Sequence, residues 1–468
     1  MLRLELRRAR AGVVLALVAL LCAALVLDSD TLWPGRWLQL TMYLRASTTA
    51  PVLAVVAAVA VWRGQRRHRS GTADLLSSTA RPRSHPLVLD WLTVTLPAAG
   101  GVLATWCAAA LAPSVTAEPG RLRALGWLGG HWELVLLAML AGMAAVAALG
   151  LAVGTAMGSR FAAPAAAVVV FVAISTAGGV RTGPMWLTPA LAVPDRVSDT
   201  VPAGASLLQI GFFAGVTVAA LAAAQLAGRS GAPRRVAAAA LVPALAVGVA
   251  CAVPLASGAG RTVTDEAALR PACTPDAPAV CVHQVNRFLL GDVTAQLRPL
   301  LTVVAATGGR TAVELERPSP VRDDLPPGVD AIPVEVPLHD RPVVRLDLET
   351  GRDGRLTGNA DANWIDEHGF ALALTDSGRC RSGGEATGPA PDRDWHRADP
   401  IATDLLLHEA GRGARTGPAA PELDPAVEAL RQRLVAAPTT ERRRWLTAYY
   451  RARSTCDDRA VAALVRVP

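Results

Sequence analysis

Few residues of this chain have the types and spacing to do chemistry, and most of those lie in its second half. His408-Glu409-Ala410-Gly411-Arg412 opens like the zinc-peptidase pattern H-E-x-x-H. In that pattern two histidines on one helical face hold the metal and the glutamate activates water. Here Arg412 stands where the second histidine belongs, and an arginine cannot ligate zinc. The segment reads instead as the end of a surface helix, stopped by Gly411 and Gly413. Ser382, His396 and Asp399 make a hydrolytic triad on paper, but no serine sits in a G-x-S-x-G turn. No G-x-x-x-x-G-K-[ST] loop occurs, so the chain carries no phosphate cradle for ATP hydrolysis. His283, His339, His368 and His396 are scattered. Trp364, Trp395 and Trp445 read as core anchors, and Arg442, Arg443 and Arg444 as a solvated helix face. No residue is assigned a catalytic, cofactor-binding or metal-binding role, and the chain is not expected to be an enzyme.

The cysteines divide by position. Cys22, Cys107 and Cys251 fall in apolar stretches, where a lone cysteine serves as a small apolar residue. Cys273, Cys281, Cys380 and Cys456 all lie in the more polar second half, an even number that fits two disulfides in an oxidising compartment. Four cysteines allow three connectivities. Cys273–Cys281, closing a short loop around Pro275 and Pro278, with Cys380–Cys456, tying the tail to the body, is the favoured set. Without a CxxC pair, zinc is disfavoured.

These residues must be positioned by two unlike halves. The chain is 51% hydrophobic but only 4% aromatic, and its mean hydropathy is +0.33. Ala, Val and Leu carry that hydrophobicity, which suits lipid-facing helices better than a packed aqueous core. A bilayer core of about 30 Å needs about 20 mostly apolar residues per helix. Seven stretches qualify or nearly so: Ala11–Leu27, Ala46–Trp62, Leu87–Ala112, Trp132–Met157, Ala162–Val180, Gly204–Ala227 and Val236–Ser257. The second is the weakest, being short and carrying Pro51. The first reads as a retained span rather than a cleaved signal peptide, because no A-x-A site follows it and Leu21 before Cys22 is too bulky for lipoprotein processing.

Charge sets the orientation. Residues 1–257 hold 20 Arg and 9 acidic groups, whereas residues 258–468 hold 26 Arg and 30 acidic groups. With the N-terminus cytoplasmic, the inside segments carry 14 Arg and the outside loops of the membrane half carry 6, as the positive-inside bias requires. The basic excess belongs to the membrane half, and no basic stripe with interleaved aromatics marks nucleic-acid binding. An odd number of spans then places residues 258–468 outside a cell membrane that the chain crosses many times.

Within the spans, charge reads as nearly absent. Asp90 starts the third span, His131 and Glu133 start the fourth, and all three fit the headgroup zone. A proton-coupled pump or ion channel is therefore disfavoured. Gly150, Gly154 and Gly158 recur every four residues, a small-residue face for close helix packing within the monomer or between subunits. Gly178 and Gly179, with Pro184, Pro189 and Pro194 beyond, predict an irregular re-entry or short hairpin between the fifth and sixth spans.

The largest basic loop, residues 63–86, contains Gly71–Arg83, GTADLLSSTARPR. It resembles the coupling-helix loop of ABC-type exporter permeases, where an acidic-Leu-Leu-x-Ser-x-Pro-Arg pattern recurs. Met1–Arg10 resembles the amphipathic elbow helix that precedes their first span, with Leu2, Leu4 and Leu6 and with Arg7, Arg8 and Arg10 suited to the inner interface. The basic second-to-third loop, the tight turn between spans four and five, the irregular loop between five and six, and a six-span core with both ends inside agree with that plan. The resemblance covers residues 1–230. It implies a separate ABC ATPase subunit as partner, with Leu75 and Leu76 filling a groove on it, Asp74 capping or pairing, and Arg81 and Arg83 meeting its acidic surface or lipid phosphates. It also implies a homodimer or a second permease subunit. By residue type alone, the same loop is an ordinary positive-inside connection. The chain departs from the family plan in a seventh span and an outer domain, similar to domains appended to some actinobacterial permease-like proteins. A membrane-anchored sensor or binding protein is the alternative.

The fold expected is thus a polytopic α-helical membrane protein of about seven transmembrane helices plus a C-terminal soluble α+β domain. Its parts are an elbow helix over 1–10, a six-helix core over 11–235, a seventh helix over 236–257 and an extracytoplasmic domain over 258–468. In that domain Ala279–His283, Thr311–Glu316, Ile332–Val336, Val343–Glu349 and Phe370–Thr375 read as strands. Val285–Ala306, Ile401–Ala410, Pro425–Ala436 and Thr440–Ser454 read as helices.

Overall fold

The computed structural model describes residues 11–27, 37–66, 84–116, 129–178, 183–190, 199–227, 233–259, 262–276, 279–309, 371, 374–375, 380, 390–412 and 424–466. The elbow segment 1–10, the loop residues Asp74, Leu75, Leu76, Arg81 and Arg83, and the strands expected within 311–349 lie outside the described residues. The chain divides into two compact units, Met1–Ala267 and Ala268–Pro468.

The first unit is a helical bundle: α1 (Ala11–Leu27), α2 (Trp37–Gly64), α3 (Ser84–Thr116), α4 (Trp132–Ala156), α5 (Ala162–Gly178), α6 (Ala203–Ala227) and α7 (Pro233–Pro254). By length and composition six helices among the described residues could cross a membrane: Trp37–Gly64, His85–Leu111, Trp132–Ala156, Ala203–Leu226, Val236–Ser257 and Gln284–Ala306. This is the build of a multi-pass helical membrane protein. The last of the six is of another kind, because it belongs to the second unit and turns its apolar face into that unit's core. In the bundle, apolar side chains also face outward, including Leu20 of α1, Val168 and Val169 of α5, and Val236 and Val242 of α7. Such surfaces suit lipid rather than water.

Close packing follows the small residues. A methyl group on Gly150 would meet the Ala57 carbonyl oxygen at 3.0 Å and Ala60 at 2.8 Å, and one on Gly64 would meet the Leu151 carbonyl oxygen at 2.7 Å. Gly154 likewise lies against the Val61 carbonyl. These glycines bring the α2 and α4 backbones together inside one chain. Gly158 takes no part: α4 ends at Ala156, Met157 turns into extended backbone, and Gly158 is exposed beyond it. At one end of the bundle Trp37, Trp106 and Trp132 cluster, with ring centroids 4.8 to 5.9 Å apart. Strands β1 (Asp199–Thr200) and β2 (Val263–Thr264) pair antiparallel at the same end, where the Thr200 hydroxyl donates to the Gly130 carbonyl at 3.1 Å.

The second unit starts with a hairpin, β3 (Pro271–Cys273) and β4 (Cys281–His283), in which Cys273 faces Cys281. A 3-10 turn (Gln284–Leu289) leads into α8 (Leu290–Ala306), followed by α9 (Ala390–Glu409), α10 (Pro425–Ala436), α11 (Thr439–Thr455) and α12 (Asp458–Val465). One core joins Leu297, Leu301, Trp395, Leu405, Leu446, Tyr449 and Val461. Of the stretch Phe370–Thr375, expected as a strand, the described residues Ala371, Leu374 and Thr375 are helical, and the Thr375 hydroxyl donates to the Ala371 carbonyl one turn back at 2.9 Å. The apolar run fits either period, and packing against α9 and α11 decides for the helix. Helix α9 begins eleven residues ahead of the expected Ile401, running through Pro400.

Cys273 is bonded to Cys281, and Cys380 to Cys456 across 76 residues. Closing a loop of that size removes about 4 kcal/mol of unfolded-chain entropy. We therefore expect Cys380→Ser with Cys456→Ser to lower the stability of the second unit by about 2–4 kcal/mol. Pulse proteolysis of the full chain across a urea series reads this as a lower cleavage midpoint; an unchanged midpoint would refute it.

Candidate functional site

Charge does sit inside the bundle, at a residue that hydropathy placed in a loop. Helix α2 starts at Trp37, not Ala46, so Arg45 lies eight residues inside it, about 12 Å along the axis. The apolar window was cut short because it stopped at this arginine. Arg45 is completely buried. Nε donates to the Pro189 carbonyl at 2.6 Å and Nη2 to Gln209 Oε1 at 3.0 Å. Gln209, on α6 and also fully buried, donates through Nε2 to the Trp186 carbonyl at 2.8 Å.

Local structure explains why those carbonyls are available. In a helix each carbonyl is taken by the amide four residues on. Between α5 and α6 the chain instead forms a single 3-10 turn, Gly183–Leu187, and then an irregular stretch to Ala190. Trp186 and Pro189 are buried there, so irregular backbone is enclosed by protein, as a water-poor interior demands. Gly142 of α4 admits it: a methyl group there would meet the Pro189 ring at 2.7 Å. The proline and glycine signals pointed to an irregular re-entry, but not to the arginine it serves. A full-length α2 window that tolerated one charge would have found that arginine.

Magnitudes show how far the site is compensated. An arginine at the centre of a membrane helix costs about 3 kcal/mol. Each hydrogen bond to a charged group contributes about 1.5–3 kcal/mol, so the two bonds from Nε and Nη2 roughly offset that cost. The accounting leaves out Nη1, which is buried and has no hydrogen-bond partner among the described residues. Ser206, one turn before Gln209 on α6, is fully buried with an equally unpartnered hydroxyl.

A second polar cluster closes the opposite end of the bundle. Arg63, the last basic residue of α2, is almost fully buried and lies 3.7 Å from Asp90 of α3. Asp90 is therefore an ion-pair partner of Arg63. Gln65 donates to the Ser159 carbonyl, in the turn between α4 and α5, at 2.6 Å. The segment 67–83 is thus flanked by helix ends tied both to each other and to the neighbouring turn. His131 and Glu133 lie 3.7 Å apart and exposed at the start of α4.

In the second unit the singled-out polar residues serve packing. Glu409 accepts from Arg442 Nε at 2.6 Å and from Arg443 Nε at 2.8 Å. Burial opposes its ionisation, but the hydrogen bonds from Arg443 and Arg442 outweigh that and hold its pKa below the usual range. Arg442 and Arg443 are therefore tied to α9 rather than forming a free solvated face. Asp399 accepts from the Tyr449 hydroxyl at 2.7 Å. Trp395 and Trp445 are buried, Trp445 stacked on Tyr449 with centroids 5.6 Å apart. Ser382, His339, His368 and Trp364 lie outside the described residues. Arg431 of α10 bridges Asp404 of α9 and Glu428 at 2.6 Å. Its hydrogen bond lowers the Glu428 pKa from 4.5 to about 2. Among the described residues no three His, Cys, Asp or Glu side chains gather as a metal set would require.

The chain matches no protein-family model, no curated protein and no solved structure. Its function must be argued from its own residues.

Two outcomes follow. Gln209→Leu removes the Arg45 acceptor and strands the Trp186 carbonyl, so it should cost about 3 kcal/mol. That appears as a lower melting temperature of the purified full chain in detergent, and an unchanged one would refute the bridge. The depressed Glu428 pKa stabilises the fold fully above its unfolded value of 4.5, and that contribution is lost as pH falls towards about 2. In an acid titration followed by tryptophan fluorescence, Glu428→Gln should lose this segment of the pH dependence; a curve parallel to that of the native chain would refute it.

Proposed function

We propose that this chain is the membrane-spanning, permease-like subunit of an ABC exporter, without an ATPase of its own, that couples to a separate nucleotide-binding subunit. The observation that carries the reading is the attachment of the segment 67–83. A coupling element must be short and fixed to two spans, so that movement of the ATPase is transmitted rather than absorbed. The Arg63–Asp90 pair and the Gln65–Ser159 bond fix both flanks in this way. Asp74, Leu75, Leu76, Arg81 and Arg83, with the pattern of a coupling loop, lie between them.

In this reading all seven apolar helices of the first unit span the bilayer. Helices α1 and α5, of 17 residues each, sit at the short end of the spanning range of about 17–25 residues. The N-terminus is cytoplasmic, by the arginine bias. The chain leaves the first unit through β2, which lies at the Trp37 end, away from segment 67–83. Residues 268–468 are then extracytoplasmic, and the paired cysteines suit that compartment. The outwardly apolar α7 is a surface for lipid, a second copy or a second permease subunit.

The test is a mild-detergent pull-down of the tagged full chain from its native membrane, beside a Leu75→Glu, Leu76→Glu variant. We expect an ATPase to co-purify with the native chain and to be lost, by about tenfold or more, from the variant. If no nucleotide-binding protein accompanies either form, the permease reading gives way to a membrane-anchored sensor whose second unit recognises a ligand.

A further inference from the structure

Among the described residues the charge on Arg45 has no counter-charge. Its two hydrogen-bonded partners, the Pro189 carbonyl and the Gln209 amide oxygen, are neutral. They satisfy geometry and desolvation but leave a full positive charge inside an apolar bundle. Nη1 finds no acceptor among the described residues, and the Ser206 hydroxyl finds no partner either. Gln209 and Ser206 are three residues apart on α6, hence on one helical face, and Gln209 already bonds Arg45. Nη1 on α2 and the Ser206 hydroxyl on the face of α6 that reaches Arg45 are thus two idle donors on completely buried residues. The layer towards the Trp37 end is apolar: Leu38, Met42, Val135, Met185, Trp186 and Ala205 pack there in one cluster.

We infer that Arg45, with Ser206, binds the oxyanion of an amphipathic molecule, a carboxylate or a phosphate, inside the membrane unit. The chemistry is that of charge-assisted hydrogen bonding. A guanidinium presents donors in a planar fork that matches two oxygens of one acid group, and such bonds are about twice as strong as neutral ones. A water molecule would satisfy Nη1 but not the charge, whereas an oxyanion satisfies both. The apolar cluster beside the arginine suits hydrocarbon rather than water, so an acid joined to a hydrocarbon matches these surroundings better than a bare ion. The two idle donors explain why the site is not a mere structural bridge. Holding the re-entrant stretch uses Nε, Nη2 and Gln209, and leaves Nη1 and Ser206 without a task. This inference goes beyond the permease reading and does not depend on an ATPase partner.

The test uses the purified full chain in phosphatidylcholine nanodiscs. Three probes are titrated: phosphatidic acid mixed into the bilayer, dodecanoate, and inorganic phosphate. Melting temperature and native mass spectrometry are the readouts. We expect phosphatidic acid or dodecanoate to raise the melting temperature and to appear as a bound adduct. Response to the first identifies a lipid headgroup and to the second a free amphipathic acid, and either supports the site. Arg45→Met should weaken binding by about tenfold or more, and Ser206→Ala by several-fold. Since Arg45→Met could also disturb the fold, Gln209→Glu provides a second arm. It places a carboxylate where Oε1 already lies 3.0 Å from Nη2, and the ion pair so formed offsets the lost bond to the Trp186 carbonyl, so the protein should stay folded and lose its response to the probes. Three results would overturn the inference: no response of the native chain to any probe, a response to inorganic phosphate alone, or an undiminished response in a folded Gln209→Glu variant.

Discussion

A guanidinium enclosed by helices can be satisfied only by groups that the helices have not already used. That constraint organises the first unit. Every carbonyl in a helix interior is committed to its own ladder, so Arg45 needs backbone from outside a helix. The chain supplies it by interrupting the run between α5 and α6 and sinking residues 183–190 into the bundle. The consequences spread from there. Pro189 needs room on α4, which Gly142 gives by lacking a side chain. Gln209 then works twice, accepting from Arg45 and donating to the Trp186 carbonyl, and so ties α2, the re-entrant stretch and α6 at one depth. The glycine contacts of α4 with α2 extend the same close packing towards the Gly64 end. There a second charge, Arg63, has its counter-charge in Asp90. Among the described residues the two arginines of α2 thus have opposite settings, one paired with a carboxylate and one met by neutral dipoles.

The second unit solves a different problem with different means. Its helices bury one face each in a shared apolar core and carry charges on the other. Ion pairs then join helix to helix: Glu409 with Arg442 and Arg443 links α9 to α11, and Arg431 with Asp404 links α10 to α9. Asp424 and Asp457 cap α10 and α12, accepting from amides of the first turn. Two disulfides limit the unfolded chain. Residues whose types invite a chemical reading, such as Glu409 and Asp399, are committed to these structural bonds.

Much of this was legible in the sequence, and the failures share a cause. Long apolar stretches announced themselves because helix α1 and the bodies of α3, α4, α6 and α7 are apolar enough to be read without any neighbour. Which four cysteines pair followed from the polar half they share, and of the three possible connectivities the favoured one is observed. What hydropathy could not show was a polar residue made compatible with the interior by partners distant in sequence. Arg45 lies 144 residues from Pro189 and 164 from Gln209, so nothing local marks it as buried, and a window that averages hydropathy ends where it should continue. The same reason hid the pairing of Glu409 with Arg442 and Arg443, which local pattern showed only as a helix end and a charged face. Gly158 erred in the opposite sense. Its spacing continued the stripe of Gly150 and Gly154, but spacing carries packing only while the helix lasts, and α4 stops at Ala156.

The energetic standing of Arg45 separates two roles that one residue can combine. As a register device, the guanidinium fixes the depth of the re-entrant stretch, a role for which a buried polar group is well suited even at some expense of stability. That role is completed by Nε, by Nη2 and by the Gln209 bridge. It does not require a full charge, since a neutral donor of similar reach would serve the same two carbonyl-type acceptors without the desolvation that a cation suffers. The charge itself, and the nitrogen left over, must therefore be weighed separately. An isolated cation in an apolar bundle raises the free energy of the protein at rest, and it attracts an anion more strongly than a surface arginine does, because screening by water is absent, while the anion gives up its own hydration to reach it. A site of this kind is weak in structural terms and strong in binding terms. In that respect the unpaired charge on Arg45 differs from every ion pair in the second unit.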